Sequence, residues 1–229
     1  MPVNTAGHRS ACHEPPAAEH HPVLRRLGDR RALVVGVEGH EVGNHTYLHP
    51  NLAAVAAKRV DFELNATQRV LQSQLGRSTL LFRPPYNADA EPTTSDEVLP
   101  IIAASRLGYI TVGEYLDPQD WRLFTTEGAR RSPQDIADAV VELVHRGHGN
   151  AILLHDGGGD RTATLEAMRL FVPRLQAEGY RFVPVSSLAG VDRDKVMPLV
   201  SARDRAVLGG DKIAFELLYV TQNFLRWAF

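Results

Sequence analysis

Two of the 10 histidines in this chain stand at a spacing that suits metal binding. His45 and His49 are four residues apart, so on a helix their imidazoles would share one face and could both hold one divalent ion. His40 and His45 are five residues apart and would be rotated by about 140° on a helix, which rules out the His-Glu-x-x-His pattern of zinc proteases. An isolated pair of this kind is more often accidental, so the metal site becomes a prediction only together with the further polar segments of the chain.

Three further polar segments each stand at the C-terminal end of an apolar run that predicts a strand. They are Arg83-Pro84-Pro85-Tyr86, Asp117-Pro118-Gln119-Asp120-Trp121 and Leu153-Leu154-His155-Asp156. Taken one at a time, they have plain structural explanations: a surface arginine, a turn aspartate and a hydrogen-bonded histidine. In parallel βα architectures the C-terminal strand ends meet at one edge, where ligands bind. The repeated placement therefore favours one shared site.

From residue 31 onwards, short apolar runs alternate with longer segments of helical period. The predicted strands are residues 79–82, 109–112, 151–154 and 180–185, and the predicted helices are residues 55–76, 98–107, 132–147 and 162–177. Residues 32–37 predict a further strand, with a short helix as the open alternative. This order predicts parallel βα units, arranged either as a barrel or as an open doubly wound sheet.

The composition is that of one ordinary globular domain. Lys and Arg number 25 against 27 Asp and Glu, for a net charge of −2, and 44% of the residues are hydrophobic. The even charge balance offers no basic surface for nucleic acid. The single cysteine, Cys12, excludes an intrachain disulfide, and we expect neither a signal peptide nor a membrane span. Residues 1–30 predict a poorly ordered segment, residues 31–191 the main domain, and residues 192–229 a connector with an amphipathic helix.

The four polar segments together resemble the motifs of the NodB-homology polysaccharide deacetylases, also called carbohydrate esterase family four. His45-Thr46-Tyr47-Leu48-His49 is similar to the second motif of that family, and the other three segments are similar to its third, fourth and fifth motifs, so we number the four polar segments accordingly from second to fifth. They occur in the family order, within residues 39–190. The resemblance implies a distorted (β/α) barrel, incomplete at its N-terminus, and a hydrolase that removes N-acetyl groups from amino-sugar polysaccharides.

The resemblance also implies roles for the residues that match the motifs. His45 and His49 would hold a divalent metal, with zinc as the first expectation and cobalt or nickel as alternatives. His155 would protonate the leaving sugar nitrogen, because an amine cannot depart as an anion. Asp120 would orient that imidazole and stabilise its positive charge. Arg83 would position the catalytic base.

The remaining matches imply contacts with the substrate. The backbone N–H of Tyr86 would face the developing oxyanion. Trp121 and Leu153 would line the pocket for the acetyl methyl group, and Pro85 would lie against the substrate. The implied partner is an N-acetylated glycan.

The first motif of the family, a Phe-Asp-Asp-Gly string, has no match in this sequence. In the family its first Asp is the catalytic base and its second is a metal ligand. The acidic residues upstream of His40 are Glu14, Glu19, Asp29 and Glu38, and none belongs to such a string. We therefore expect the first βα unit to be missing or replaced, with an open sheet edge near residues 33–37. Neither Glu41 nor Asp156 is placed convincingly to substitute for the base.

Two longer strings resemble a subgroup of the family more closely. Residues 83–92 and 155–161 are similar to enzymes in which the deacetylase is fused to a membrane glycosyltransferase, and the apolar C-terminal residues are similar to the connector there. The resemblance implies a natural protein that continues beyond Phe229 into a membrane-embedded region, with this domain outside the cytoplasm. Membrane contact is expected only through that further region.

Two functions of different class remain open. The first is a metal-dependent polysaccharide deacetylase, a hydrolase acting on carbon-nitrogen bonds other than peptide bonds, weakly active without the first motif. The second is a catalytically dead module that binds carbohydrate or a partner and keeps the groove and the two histidines.

Overall fold

The computed structural model describes residues 39–87, 94–113, 115–126, 128–157 and 159–228. Within them lie seven α-helices and two strands. The helices are α1 (Ala57–Leu75), α2 (Ser95–Arg106), α3 (Pro133–Arg146), α4 (Thr162–Ala177), α5 (Val185–Leu188), α6 (Arg193–Val196) and α7 (Ala202–Ala228), and the strands are β1 (Leu81–Phe82) and β2 (Ile110–Thr111). The segments predicted at residues 1–30 and 32–37 lie outside the described residues.

A small parallel sheet positions the second and third polar segments. Strands β1 and β2 pair in parallel, with Leu81 opposite Ile110. On the other side of β1, Asn44 pairs in parallel with Phe82 through short backbone hydrogen bonds. Because parallel strands run in the same direction, the residues that follow Asn44 and Phe82 lie at the same edge. The predicted parallel βα arrangement is confirmed here.

A second parallel contact brings the fourth and fifth polar segments together. Leu116 forms a parallel bridge with Ile152, and the N–H of Leu153 donates to the carbonyl oxygen of Leu116 at 3.1 Å. The strand predicted at residues 151–154 is thus reduced to a single bridge. Because the bridge is parallel, the loop after Leu116 and the residues after Leu153 still start side by side.

The helix boundaries follow the local signals in the sequence. Helix α1 ends at Gly76, whose φ of 63° lies in the left-handed region that glycine adopts without strain. Helix α3 starts after Ser132, whose side chain accepts the N–H of Asp135 while the Asp135 carboxylate accepts the N–H of Ser132. Pro133 fills the first helical position, where no N–H is needed. These predicted ends are confirmed.

Two apolar clusters hold the helices against the parallel segments. Leu64 of α1 and Phe82 of β1 are completely buried in the first cluster, which α2 also contacts. Helices α3 and α4 form the second cluster, around Val140 and Phe171. Each polar segment therefore follows a strand or bridge that is packed against helices, and this packing fixes the direction of the segment.

Residues 180–185, predicted as a strand, form no strand in the described structure. The N–H of Tyr180 donates to the carbonyl oxygen of Leu175 and continues the turn that ends α4. Phe182 is 45% exposed, and Val185 already begins α5. A short apolar run becomes a strand only where a neighbouring strand accepts its hydrogen bonds, and no described segment pairs with these residues. The prediction is wrong for this part of the chain.

The predicted C-terminal amphipathic helix is α7. Its inner face contacts α1, where Phe215 packs against Val70 and Arg69 forms an ion pair with Asp211 at 2.5 Å. Ile213, on another face, is 62% exposed. Among the described residues, no helix combines the length and the apolar character that crossing a membrane requires.

Candidate functional site

His45 and His49 lie side by side as expected, but on a loop, so the helical geometry from which their proximity was predicted is wrong here. Their ring centroids are 4.9 Å apart and the rings meet edge to face. Nδ1 of His45 lies 2.8 Å from the carbonyl oxygen of Arg83. Because a carbonyl oxygen can only accept, Nδ1 carries the proton and Nε2 keeps the lone pair that a metal ion needs.

The surroundings of His45 favour its neutral form. They lower the pKa of His45 from 6.5 to about 4, although part of the residue is open to solvent. Desolvation is the largest cause; the hydrogen bond to Arg83 opposes it, and electrostatic interactions with His49, Arg83 and His155 add to it. A neutral imidazole is the form that binds a metal. The influence of His155 also shows that the second and fifth polar segments lie within electrostatic range of each other.

The two imidazoles fit part of the coordination shell of a divalent ion. Catalytic zinc sites use three protein ligands and leave one position open. In the described part of the chain, no group of three or more His, Cys, Asp or Glu side chains is placed to hold a metal. His45 and His49 therefore supply two suitable nitrogen ligands, and the described residues contain no third.

Backbone strain is concentrated at the candidate segments. Among the described non-glycine residues, positive φ occurs at Thr46 (69°), His49 (55°), Tyr86 (64°) and Gln119 (52°). Residues with a Cβ rarely adopt this conformation, and such outliers cluster at functional sites. All four belong to the polar segments singled out from the sequence, so the strain independently marks this edge of the fold.

Asp120 and His155 form a buried carboxylate-histidine pair. The side chain of Asp120 is completely buried, and its Oδ1 lies 2.8 Å from Nδ1 of His155. Its Oδ2 accepts the backbone N–H of His155 at 3.0 Å and the hydroxyl of Thr164 at 2.8 Å. Asp120 thus fixes both the backbone and the ring of His155. The Nε2 atom of that ring remains the nitrogen available to a substrate.

The contacts of Asp120 favour its ionised form. Burial is the largest influence on the pKa of Asp120 and raises it. The hydrogen bonds from the side chain and backbone of His155, the electrostatic interaction with that ring and the hydroxyl of Thr164 together outweigh burial. The net result is a pKa below the ordinary value of 3.8. A charged carboxylate is the form that stabilises an imidazolium.

Substitution of Asp120 by asparagine is expected to destabilise the fold in a pH-dependent way. The amide group turns a donor toward Thr164 or His155, so we expect a loss of about 1–3 kcal/mol in the free energy of unfolding at neutral pH. Because the folded-state pKa of Asp120 is lowered, its contribution is complete above about pH 4 and is lost as the pH falls through the folded-state value. Urea unfolding of wild type and Asp120→Asn at neutral and acidic pH measures this loss.

The matched control for that measurement is Asp138→Asn, since Asp138 is an exposed partner of Arg174. We expect the control to be close to wild type, as exposed ion pairs contribute little. A stability difference between Asp120→Asn and wild type that stays constant from neutral to acidic pH would contradict the assigned ionisation.

The third polar segment lies against the histidine pair. The ring of Tyr86 is 5.2 Å from that of His49. The guanidinium of Arg83 donates to the carbonyl oxygen of Val112 at 3.1 Å, which ties it to the end of β2. Pro85 is buried. This segment is therefore brought to the same place as His45 and His49, as predicted.

The residues predicted to line an acetyl pocket lie beside Asp120 and His155 in the chain. Trp121 is partly buried, and the guanidinium of Arg122 lies over its ring at 5.0 Å from the centroid. Leu153 is also partly buried and is held by its hydrogen bond to Leu116. Their positions follow from the same parallel bridge that positions His155.

Three residues that support the site were not found from the sequence. Asn44 is completely buried; its Oδ1 accepts the N–H of Thr46, and its Nδ2 donates to Tyr109 and to the carbonyl oxygen of Leu64. Glu63 and Thr164 are also buried and contact the candidate segments. Asn44 directly precedes the His45–His49 segment, which was the signal that could have found it. Glu63 and Thr164 carry no such signal, because each is one polar residue among several in an amphipathic helix.

The family to which these features belong is identified by comparison with known proteins. Residues 31–109 match the model of the family described as polysaccharide deacetylase. The chain is 32% identical over 162 residues to a chitooligosaccharide deacetylase of Azorhizobium caulinodans, which covers 65% of this chain and 69% of that protein. This chain spans 64% of the length of a second related deacetylase and 29% of the length of a third.

Solved structures agree with this relationship. A crystal structure of a peptidoglycan N-acetylglucosamine deacetylase superposes with a TM-score of 0.58 at 26% identity, covering 71% of this chain and 69% of that one. A second match is a variant of a Bacillus anthracis pseudoenzyme of carbohydrate esterase family four, with restored enzymatic activity. It superposes with a TM-score of 0.58 at 25% identity, covering 72% of this chain and 53% of that one. The chain belongs to the polysaccharide deacetylase family and has the distorted (β/α)-barrel fold of the NodB-homology type.

Proposed function

We propose that this chain is a metal-dependent hydrolase that removes N-acetyl groups from amino-sugar polysaccharides. The observation that carries the proposal is the pair formed by the buried Asp120 carboxylate and His155, with His155 within electrostatic range of His45 of the His45–His49 pair. The relatives named for chitooligosaccharide and for peptidoglycan N-acetylglucosamine support this class of substrate.

The proposed reaction breaks the C–N bond of an acetamide and adds water to the acetyl carbon. The products are acetate and a free sugar amine, so the leaving nitrogen must gain a proton. His155 is assigned as the donor of that proton, because Asp120 holds its Nδ1 and stabilises the charged ring. This arrangement also keeps the imidazole in one orientation between turnovers.

A divalent ion is proposed between His45 and His49, with zinc as the first choice and cobalt or nickel as alternatives. Bound there, the ion would polarise the acetyl carbonyl and lower the pKa of water. His45 is suited to this role because its Nδ1 is committed to Arg83 and its ring is neutral at physiological pH.

The remaining assignments concern substrate contacts. The backbone N–H of Tyr86 is proposed to donate to the developing oxyanion, since Tyr86 lies beside His49. Arg83 is proposed to position the base. Trp121, Leu153 and Pro85 are proposed to bind the acetylated sugar, with the first two beside its methyl group.

We assign residues 31–191 to the deacetylase domain and residues 192–229 to a connector. The first residues of the connector pack on the deacetylase domain, because Val196 and Met197 contact Leu81. We further propose that the domain lies outside the cytoplasm and is fused to a membrane glycosyltransferase. The support for this proposal is the resemblance of the strings at 83–92 and 155–161.

Turnover is expected to be slow because no group is assigned to take the proton of water. Glu41 accepts the N–H of Ser186 at 3.0 Å and is thus engaged with α5. Asp156 is exposed next to the proposed acid. Loss of a general base costs about 10²–10⁴-fold in rate.

The direct test is acetate release from N-acetylglucosamine oligomers and from peptidoglycan fragments, with zinc or cobalt added. We expect slow but metal-dependent release, which chelation abolishes. Fast release would show that another carboxylate acts as the base and that the missing first motif matters less than proposed.

The second candidate is a catalytically dead glycan-binding module. It is favoured by the absence of a third metal-ligating side chain among the described residues, and the family contains a pseudoenzyme. Glycan binding without any metal-dependent acetate release would support this candidate and refute the deacetylase.

A further inference from the structure

The loop that carries His45 and His49 has a conformation that its own sequence disfavours. Thr46 and His49 have positive φ values of 69° and 55°. A β-branched threonine in the left-handed region is a rare outlier. Such a backbone persists only where surrounding contacts hold it in place. The contacts that hold this loop therefore decide how the two imidazoles are placed.

One buried carboxylate supplies the central contact. The side chain of Glu63, on α1, is completely buried. Its Oε2 accepts the backbone N–H of Tyr47 at 2.8 Å and that of Leu48 at 2.6 Å. These two residues stand between His45 and His49 in the chain. Glu63 thus binds the middle of the loop through its backbone.

The other oxygen of Glu63 is bound from the same helix. Oε1 accepts from Nε of Arg59 at 2.8 Å and lies 2.7 Å from its Nη2. This two-point contact compensates the buried negative charge and prevents the carboxylate from rotating away from the loop. The carboxylate is therefore held in one orientation by α1 itself.

Asn44 holds the N-terminal end of the same loop. Its Oδ1 accepts the N–H of Thr46 at 3.0 Å, while its Nδ2 is bound to Tyr109 and Leu64. The loop is consequently fixed at its start and at its centre before any ligand binds. A site that is organised in advance loses less free energy on binding.

We propose that Glu63 is a positioning residue, which sets the affinity of the His45–His49 site for a divalent ion by fixing the loop from helix α1. The inference rests on the proposed function for the metal site. It adds a residue that lies outside the family-like motifs and acts only through the backbone.

The test compares zinc binding by wild type and Glu63→Gln in a competition assay with a chromophoric chelator. Glutamine keeps the size of the side chain, but its amide group turns donors toward either the loop N–H groups or Arg59, which are donors themselves. We expect zinc affinity to fall by about 10- to 100-fold. The visible absorption of bound cobalt should change as well, because the two imidazoles move relative to each other.

The matched control is Glu142→Gln, since Glu142 also pairs with an arginine four residues on, Arg146, but is exposed on α3. Its zinc affinity and cobalt spectrum should equal those of wild type. Equal affinity and spectrum for Glu63→Gln would overturn the proposed positioning role. Metal binding that depends on Glu63 without any acetate release would instead count against the proposed reaction alone.

A measurement on wild type alone covers the case in which Glu63→Gln does not fold. Hydrogen exchange of the Tyr47 and Leu48 amides should be protected in the metal-free protein, because both N–H groups are bound to Glu63. Amides that exchange freely without metal and become protected only with zinc would show that the ion, rather than Glu63, organises the loop.

Discussion

A variant with His45→Ala and His49→Ala is expected to lose binding of a divalent ion at the candidate site. Mutating even an outer partner of a metal ligand costs about 10- to 100-fold in affinity, so removing both proposed ligands should cost more. The measurement is metal content after loading with zinc and exhaustive dialysis. We expect a stoichiometric ion in wild type and none in the double variant.

The physical reason concerns the part of the chain that the structure describes. Among the described residues, no other cluster of His, Cys, Asp or Glu can replace the two imidazoles. The control is a double variant with His145→Ala and His148→Ala, since both of these histidines are exposed at the end of α3 and beyond it. Equal zinc content in wild type and in the His45, His49 variant would refute the site.

Replacement of His155 by alanine is expected to lower the rate of acetate release by about 10²–10⁴-fold, the usual contribution of a general acid. Without the imidazole the sugar nitrogen has no proton donor held by Asp120. The loss should appear in kcat rather than in KM, because the proton is transferred only in the chemical step. Initial rates over a range of oligosaccharide concentrations separate the two.

The control for His155→Ala is His148→Ala, which removes an exposed histidine seven residues earlier in the chain. It should keep the wild-type rate. Zinc content should remain unchanged in His155→Ala, so this variant and the double variant at His45 and His49 affect different halves of the site. Undiminished acetate release by His155→Ala would contradict the assignment of the acid.

Local signals were sufficient to predict most of the helices. Ser132, Pro133 and Asp135 predicted the start of α3, and Gly76 predicted the end of α1, because capping and left-handed conformations depend on a few neighbouring residues. The strand predicted at residues 180–185 failed for the complementary reason. A strand of a parallel sheet requires a partner that is distant in sequence, and a short apolar run cannot report whether that partner exists.

By itself, the sequence determined which side chains could do chemistry and in what order they occur. His45 and His49 were identifiable from residue type and spacing, and Asp120 and His155 from their position in polar segments that follow apolar runs. Parallel βα order also implied that they would meet at one edge, since that consequence follows from chain direction alone.

Only the tertiary structure decided how these side chains are held. The contact from Asp120 to His155 spans 35 residues, and those from Glu63 to Tyr47 and Leu48 span 16 and 15. Glu63 looks like any acidic residue of an amphipathic helix until packing buries it against the loop. Burial and hydrogen bonding between distant segments depend on the whole fold, because they arise only when separate helices and strands pack together.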